Sequence, residues 1–300
     1  MEQLKIIVST EYLTDIKSKS FWISTFIVPI IIVLFSFVFG FLMSGSETYM
    51  NAMEELPFQP DAEQMNTAKV VGMIVGACLT FFLMIYGAMI FNKVKAEKCN
   101  RIIEIICTSV PGKTLMLGKI LSVGLVGLTQ LAIWAVMIFA GLTFIFLFFG
   151  LHFPWEYLST GKTYLAATWT TLYFIGGYVL FGSLYAACGA ITDKDNENQT
   201  YMTIVTFILL GAFYIGQFAV DNGDSALAIV CSYLPFTSPT VGTVNAVSGS
   251  APIWQISTSL AVLYVSDFFC VLIAGKLYRS SMLLKGKQFS PKDIVTFLRS

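Results

Sequence analysis

The sequence predicts an all-α polytopic membrane protein with six transmembrane helices. Three observations carry that prediction. Of 300 residues, 56% are hydrophobic and only 12% charged, with a mean hydropathy of +0.75. A soluble domain holds about 45–50% apolar and about 25% charged residues. The few charges are also segregated, leaving long charge-free runs. Each run is long enough for the roughly 20 apolar residues that cross a hydrocarbon core about 30 Å thick.

The first span is read near 21–43, between Lys19 and Glu47, and the second near 70–91, between Lys69 and Lys93. The third, near 120–149, is long enough to tilt or to project from the bilayer. The fourth lies near 164–191 and the fifth near 201–220. The next charge-free run, from Ser225 to Ser266, is interrupted by Pro235, Pro239 and Pro252, so a continuous helix there is excluded. Two short segments, 226–233 and 240–248, are expected to dip into the membrane and return on one side, ahead of a sixth span near 253–275. Non-helical backbone at that depth must be buried in protein or face water.

Basic residues set the orientation. Sixteen of the eighteen Lys and Arg fall before span 1, between spans 2 and 3, between spans 4 and 5, or after span 6; only Lys69 and Lys162 lie opposite. Both termini are therefore expected in the cytoplasm, in a bacterial cytoplasmic membrane. The 44–67 loop carries five acids and no base, as an outside loop can. The first twenty residues contain acids and bases and the first apolar run is too long for a leader core, so no cleavable signal is expected.

Several classes are disfavoured. Zero net charge offers no bulk attraction to nucleic acid. The six cysteines form no CxxC pair and have no His-rich neighbours, which argues against a metal or disulfide framework. The lone His152 sits in a Phe153-Pro154-Trp155 interfacial context. An intramembrane enzyme would need paired catalytic groups or ligands within the membrane, and one His with one membrane-embedded acid, Asp267, does not supply them. Two GKT triplets, at 112–114 and 161–163, have Cys107 and Glu156 where a phosphate-cradling P-loop needs glycine. The chain is thus expected to be no enzyme, to bind no cofactor or metal and to hydrolyse no ATP itself.

The segment EKCNRIIEIICTSV (97–110) is anomalous, with four charges in eight positions between two apolar walls. As a helix it would place Glu97, Arg101 and Glu104 on one stripe and Ile102, Ile103 and Ile106 on the other, ended by Pro111-Gly112. The plain reading is a surface-lying connector. The sharper one is a docking helix for a cytosolic subunit.

Four stretches resemble the permease subunits of type-2 ATP-binding-cassette exporters, in particular the sodium-extrusion and drug-export branch. They are EYLTDIKSKSFWISTFIVPI (11–30), EKCNRIIEIICTSVPGKTLMLGKILSVGLVGLTQ (97–130), LPFTSPTVGTVNAV (234–247) and AGKLYRSSMLLKGKQFSPKDI (274–294). The resemblance implies an amphipathic elbow helix over 1–20, a coupling loop over 92–119, re-entrant segments over 226–248 and a cytoplasmic tail over 276–300. It implies a dimer of permeases driven by two cytosolic ATPase subunits that hold ATP and magnesium, with Glu97, Arg101 and Glu104 touching the ATPase and Ile102, Ile103 and Ile106 anchoring the helix. Spans 2 and 5 would line the dimer interface, where Gly72 and Gly76 have close-contact spacing. Thr80, Phe81, Tyr86, Thr203, Thr206, Phe213, Tyr214, Gln217 and Asp267 are the pathway candidates, and Pro235, Phe236, Thr237, Ser238 and Pro239 the extracellular gate. The large outer domain of many members is absent: the loop after span 1 has about 24 residues. The competing readings are an ATP-independent secondary transporter or channel, and a non-transporting anchor for an ATPase. Neither cargo nor homodimer versus heterodimer is legible.

Overall fold

The computed structural model describes residues 2–44, 62–99, 112–149, 161–192, 200–221 and 225–283. Among these, nine helices follow in order and no strand occurs: α1 Glu2–Ile16, α2 Lys19–Ser44, α3 Ala62–Cys99, α4 Gly112–Phe148, α5 Gly161–Ile191, α6 Thr200–Asp221, α7 Ala226–Tyr233, α8 Ser238–Ser248 and α9 Ile253–Leu283. Six of them, α2 to α6 and α9, are long and apolar enough to cross a membrane. The molecule is a polytopic all-α integral membrane protein.

Two helices outrun the bilayer. α3 has 38 residues and α4 has 37, about 55 Å each at 1.5 Å per residue. Nothing in Asn92–Cys99 breaks the helix, so α3 continues from its apolar span into the polar stretch expected to open the coupling loop. Lys98 in its last turn complements the negative end of the helix dipole.

α5 is the central helix, packed against α3, α4, α6, α8 and α9. Three of its tyrosines each reach a different neighbour. Tyr173 donates to the Ile256 carbonyl on α9 at 2.9 Å, Tyr178 to the Ile120 carbonyl on α4 at 2.7 Å, and Tyr185 shares a 3.0 Å hydrogen bond with Thr206 on α6. Their rings are buried while each hydroxyl finds a polar partner, which a phenol in an apolar interior requires. α2 stands at the edge, joined to α4 where the Trp134 indole donates to the Thr25 carbonyl at 2.9 Å. α1 lies against the first half of α4, with Tyr12 and Thr129 hydrogen-bonded at 2.8 Å.

α7 and α8 form a broken element bent by 119°. Ser225 caps α7 by accepting from the Ala228 amide. Pro239 sits in the first turn of α8, where its missing N–H removes no helical hydrogen bond. α8 therefore starts at Ser238, two residues before the boundary expected from the prolines. Gly249 ends it at φ 68°, a left-handed conformation natural to glycine.

Candidate functional site: a charged hub joining α1, α3, α4 and α9

The Lys/Arg-rich end of the bundle holds a cluster of ion pairs that joins four helices. Lys119, near the start of α4, is buried, with 3% of its side chain exposed. Its ammonium donates to Glu11 of α1 at 2.7 Å and to Glu97 in the last turn of α3. Lys93, one turn earlier on α3, pairs with Glu11 at 3.2 Å and with Asp15 at 2.5 Å. The second Glu97 oxygen accepts from the hydroxyl of buried Tyr278 on α9 at 3.1 Å. The hub thus sets two cations against three carboxylates.

Burial alone would raise the Glu11 carboxyl, but Lys119 and then Lys93 outweigh it, holding it below its ordinary value of 4.5. A depressed carboxylate stabilises the fold above its unfolded value, and the contribution disappears as pH falls through the lower folded value. Melting temperature measured from pH 7 down to pH 3 is expected to fall less steeply in Glu11→Gln than in the native chain, with the two curves converging at the acid end.

The hub changes the reading of Glu97. This residue belongs to α3 rather than to a separate surface helix, because α3 runs unbroken to Cys99. Both its oxygens are engaged within the chain. Arg101, Ile102, Ile103, Glu104 and Ile106 lie outside the described residues. No local pattern marks the hub, since its partners are separated by 22 to 181 positions. In the sequence Lys119 is simply the last charge before the third apolar run.

The pathway candidates divide. Thr80 donates to the Gly76 carbonyl of its own helix at 2.8 Å. Tyr86 donates to Gln130 of α4 at 2.8 Å, and Gln217 of α6 to the Met73 carbonyl at 3.3 Å. Thr206 bonds to the Met202 carbonyl as well as to Tyr185. Phe213 is half-buried, its ring edge-on to Tyr214 at 5.4 Å. Thr203, Phe81 and Tyr214 instead face outward, the last two 59% and 69% exposed. Asp267, midway along α9, is 4% exposed and neither carboxylate oxygen has a hydrogen-bond partner among the described residues. One oxygen lies over Gly176 of α5, 3.4 Å from where a Cβ would be.

Gly72 and Gly76 serve a contact inside the chain, correcting the assignment to a subunit interface. A Cβ on Gly76 would come within 2.7 Å of the Val244 side chain, and one on Gly72 within 3.2 Å of the Val244 carbonyl. The small residues admit α8, which is buried along most of its length. In the turn before it, Thr237 donates to the Cys231 carbonyl at 2.5 Å, Ser238 and Pro239 are buried, and Pro235 and Phe236 lie toward the surface.

The sequence profile of the family described as "ABC-2 family transporter protein" matches residues 45–276. The chain is 28% identical over 227 residues to the Bacillus subtilis (strain 168) protein "Uncharacterized protein YhaP", covering 73% of this chain and 52% of that one. It is 25% identical over 213 residues to "Uncharacterized protein MJ1024" of Methanocaldococcus jannaschii, covering 71% of this chain and 49% of that one. The chain thus spans about half the length of these curated relatives. No solved structure matches.

Proposed function

Because the chain belongs to the ABC-2 transporter family, we propose that it is the membrane permease subunit of an exporter, paired with a second permease and driven by a separate cytosolic ATPase. The observation that supports this reading is the hub. Segment 100–111 follows Cys99, two residues after Glu97, and α4 begins at Gly112, seven residues before Lys119. A push on that segment would reach α1, α3 and α4 through fixed ion pairs and α9 through the Tyr278 hydrogen bond. Rigid helices coupled at one end can convert a local displacement into a tilt of the bundle.

In this reading Arg101 and Glu104 contact the ATPase, Ile102, Ile103 and Ile106 seat the segment on the bundle, and Glu97 transmits rather than docks. ATP and magnesium belong to the partner. The second permease covers the outward faces of α3 and α6, where Phe81, Ile85, Phe207 and Tyr214 are exposed. The Pro235–Pro239 turn forms the gate on the side opposite the hub. Both termini face the cytoplasm.

A cysteine introduced by Glu104→Cys, with Cys99 and Cys107 replaced by serine, is expected to crosslink to an ATPase subunit in native membranes. A folded, well-expressed variant that traps no ATPase would count against the coupling role. Asp267 favours a second reading, an ion-coupled carrier without an ATPase, because unpartnered acids inside a membrane commonly mark ion paths. Transport persisting in ATP-depleted vesicles would select it.

A further inference from the structure

The elbow helix leaves an open groove against α4. Its volume is about 560 Å³, and its walls are almost wholly apolar: Leu4 and Val8 of α1 on one side, Leu121 and Leu125 of α4 on the other. Leu121 and Leu125 are 46% and 42% exposed, so no other described helix covers them. Tyr12, hydrogen-bonded to Thr129, lines the far part of the groove. Lys5 stands in its lining, and its side chain is exposed.

Charge says what fits. The acids Glu11 and Asp15 are paired with Lys93 and Lys119 in the hub. The exposed charges left on and just beyond α1 are Lys5, Lys17 and Lys19 against Glu2 alone. Of these, Lys5 is the one charge that lines the apolar slot. Apolar surface beside an exposed base can take an acyl chain and a headgroup together, and basic residues at a membrane surface attract anionic lipid.

We propose that the groove between α1 and α4 binds an anionic phospholipid, with an acyl chain along Leu4, Val8, Leu121 and Leu125 and the phosphate on the Lys5 ammonium. Tyr12 neighbours Glu11, so the bound lipid would steady the elbow beside the charged hub. The site is independent of which energy source drives the protein.

The test uses the full chain, delipidated in mild detergent and titrated with phosphatidylglycerol or phosphatidylcholine of matched chains, bound lipid being counted by native mass spectrometry. Phosphatidylglycerol is expected to bind about fivefold more tightly, the factor that one basic residue at a membrane surface supplies. Lys5→Glu should abolish that preference while one chain still binds. Leu125→Trp should fill the groove and remove the bound lipid, and Lys276→Glu, an equal charge change on exposed α9 surface, should alter neither. Inorganic phosphate should fail to compete, since the apolar walls supply the affinity. Equal binding of the two lipids, a preference that survives Lys5→Glu, or unchanged occupancy in Leu125→Trp overturns the proposal. So does displacement by inorganic phosphate, which would mean a simple anion site. Leu125 lies at a half-open surface, and a melting temperature equal to that of the native chain confirms that each variant is folded.

Discussion

The double variant Glu11→Gln/Glu97→Gln is expected to lose far more stability than its two single variants together. Either change alone leaves the Lys119 ammonium one carboxylate, and Lys93 keeps Asp15 when Glu11 is neutralised. Each single variant should therefore cost about 1 kcal/mol, the scale of one partly exposed ion pair. The double variant strands an ammonium whose side chain is 3% exposed. A buried charge without its counter-ion costs about 3–5 kcal/mol; the remaining amide oxygens place the expected loss near the lower end. The excess over additivity, about 1–2 kcal/mol, is the coupling through Lys119. Adding Lys119→Met should restore most of the loss, because a buried ion cluster replaced by apolar volume is often neutral or better. Melting curves of the four variants in one detergent measure this. Additive singles, or a triple variant as weak as the double, would show that Lys119 is not held by these carboxylates.

How much of this was readable beforehand differs between the lipid-facing and inward-facing parts. Spans are legible because hydrocarbon excludes charge, and a charge-free run is a local property of sequence. Helix ends are not local in the same way. Asn92, Lys93, Lys95, Glu97 and Lys98 mark where α3 leaves the apolar layer, yet the backbone hydrogen bonds continue to Cys99. Asn92, Lys93 and Lys95, which the charge pattern places in a loop, are helix, and Glu97 and Lys98 belong to that same helix, since lysine and glutamate are good helix formers in water. The hub was illegible for a different reason. Glu11, Lys93, Lys119 and Tyr278 are single polar residues on four helices, and only packing brings them together. Gly72 and Gly76 show the limit of a motif: their spacing announces a close helix contact, but nothing in it says whether the partner is another subunit or α8. Arg101 and Glu104 remain readable only as a pattern on a stripe.

Gly189→Ala is expected to be the most damaging single methyl that can be added to the hub end of this bundle. The new Cβ would lie 2.6 Å from the Phe91 carbonyl oxygen, 3.2 Å from the Phe91 Cα and 3.1 Å from the Val94 Cβ. Two of these are backbone atoms, so no rotamer change relieves the clash, and α3 and α5 must separate. Overpacking of that kind costs about 1–3 kcal/mol, and backbone contact argues for the upper part. Gly182 on the same helix supplies the comparison. There the nearest atom is the end of the Ile90 side chain at 3.2 Å. A flexible methyl can move by a few tenths of an ångström, and alanine's better helix propensity, worth up to about 1 kcal/mol, offsets the strain. Gly182→Ala should therefore sit near native stability while Gly189→Ala melts well below it. The damage should also travel. Val94 lies one turn before Glu97, so a displaced α3 carries that carboxylate away from Lys119 and Tyr278. In the Gly189→Ala background, Glu97→Gln should then cost little further, whereas in the Gly182→Ala background it should cost as much as in the native chain. A full Glu97→Gln penalty in both backgrounds would mean that the α3–α5 contact and the hub are mechanically separate, and that the hub end of the bundle does not move as one body.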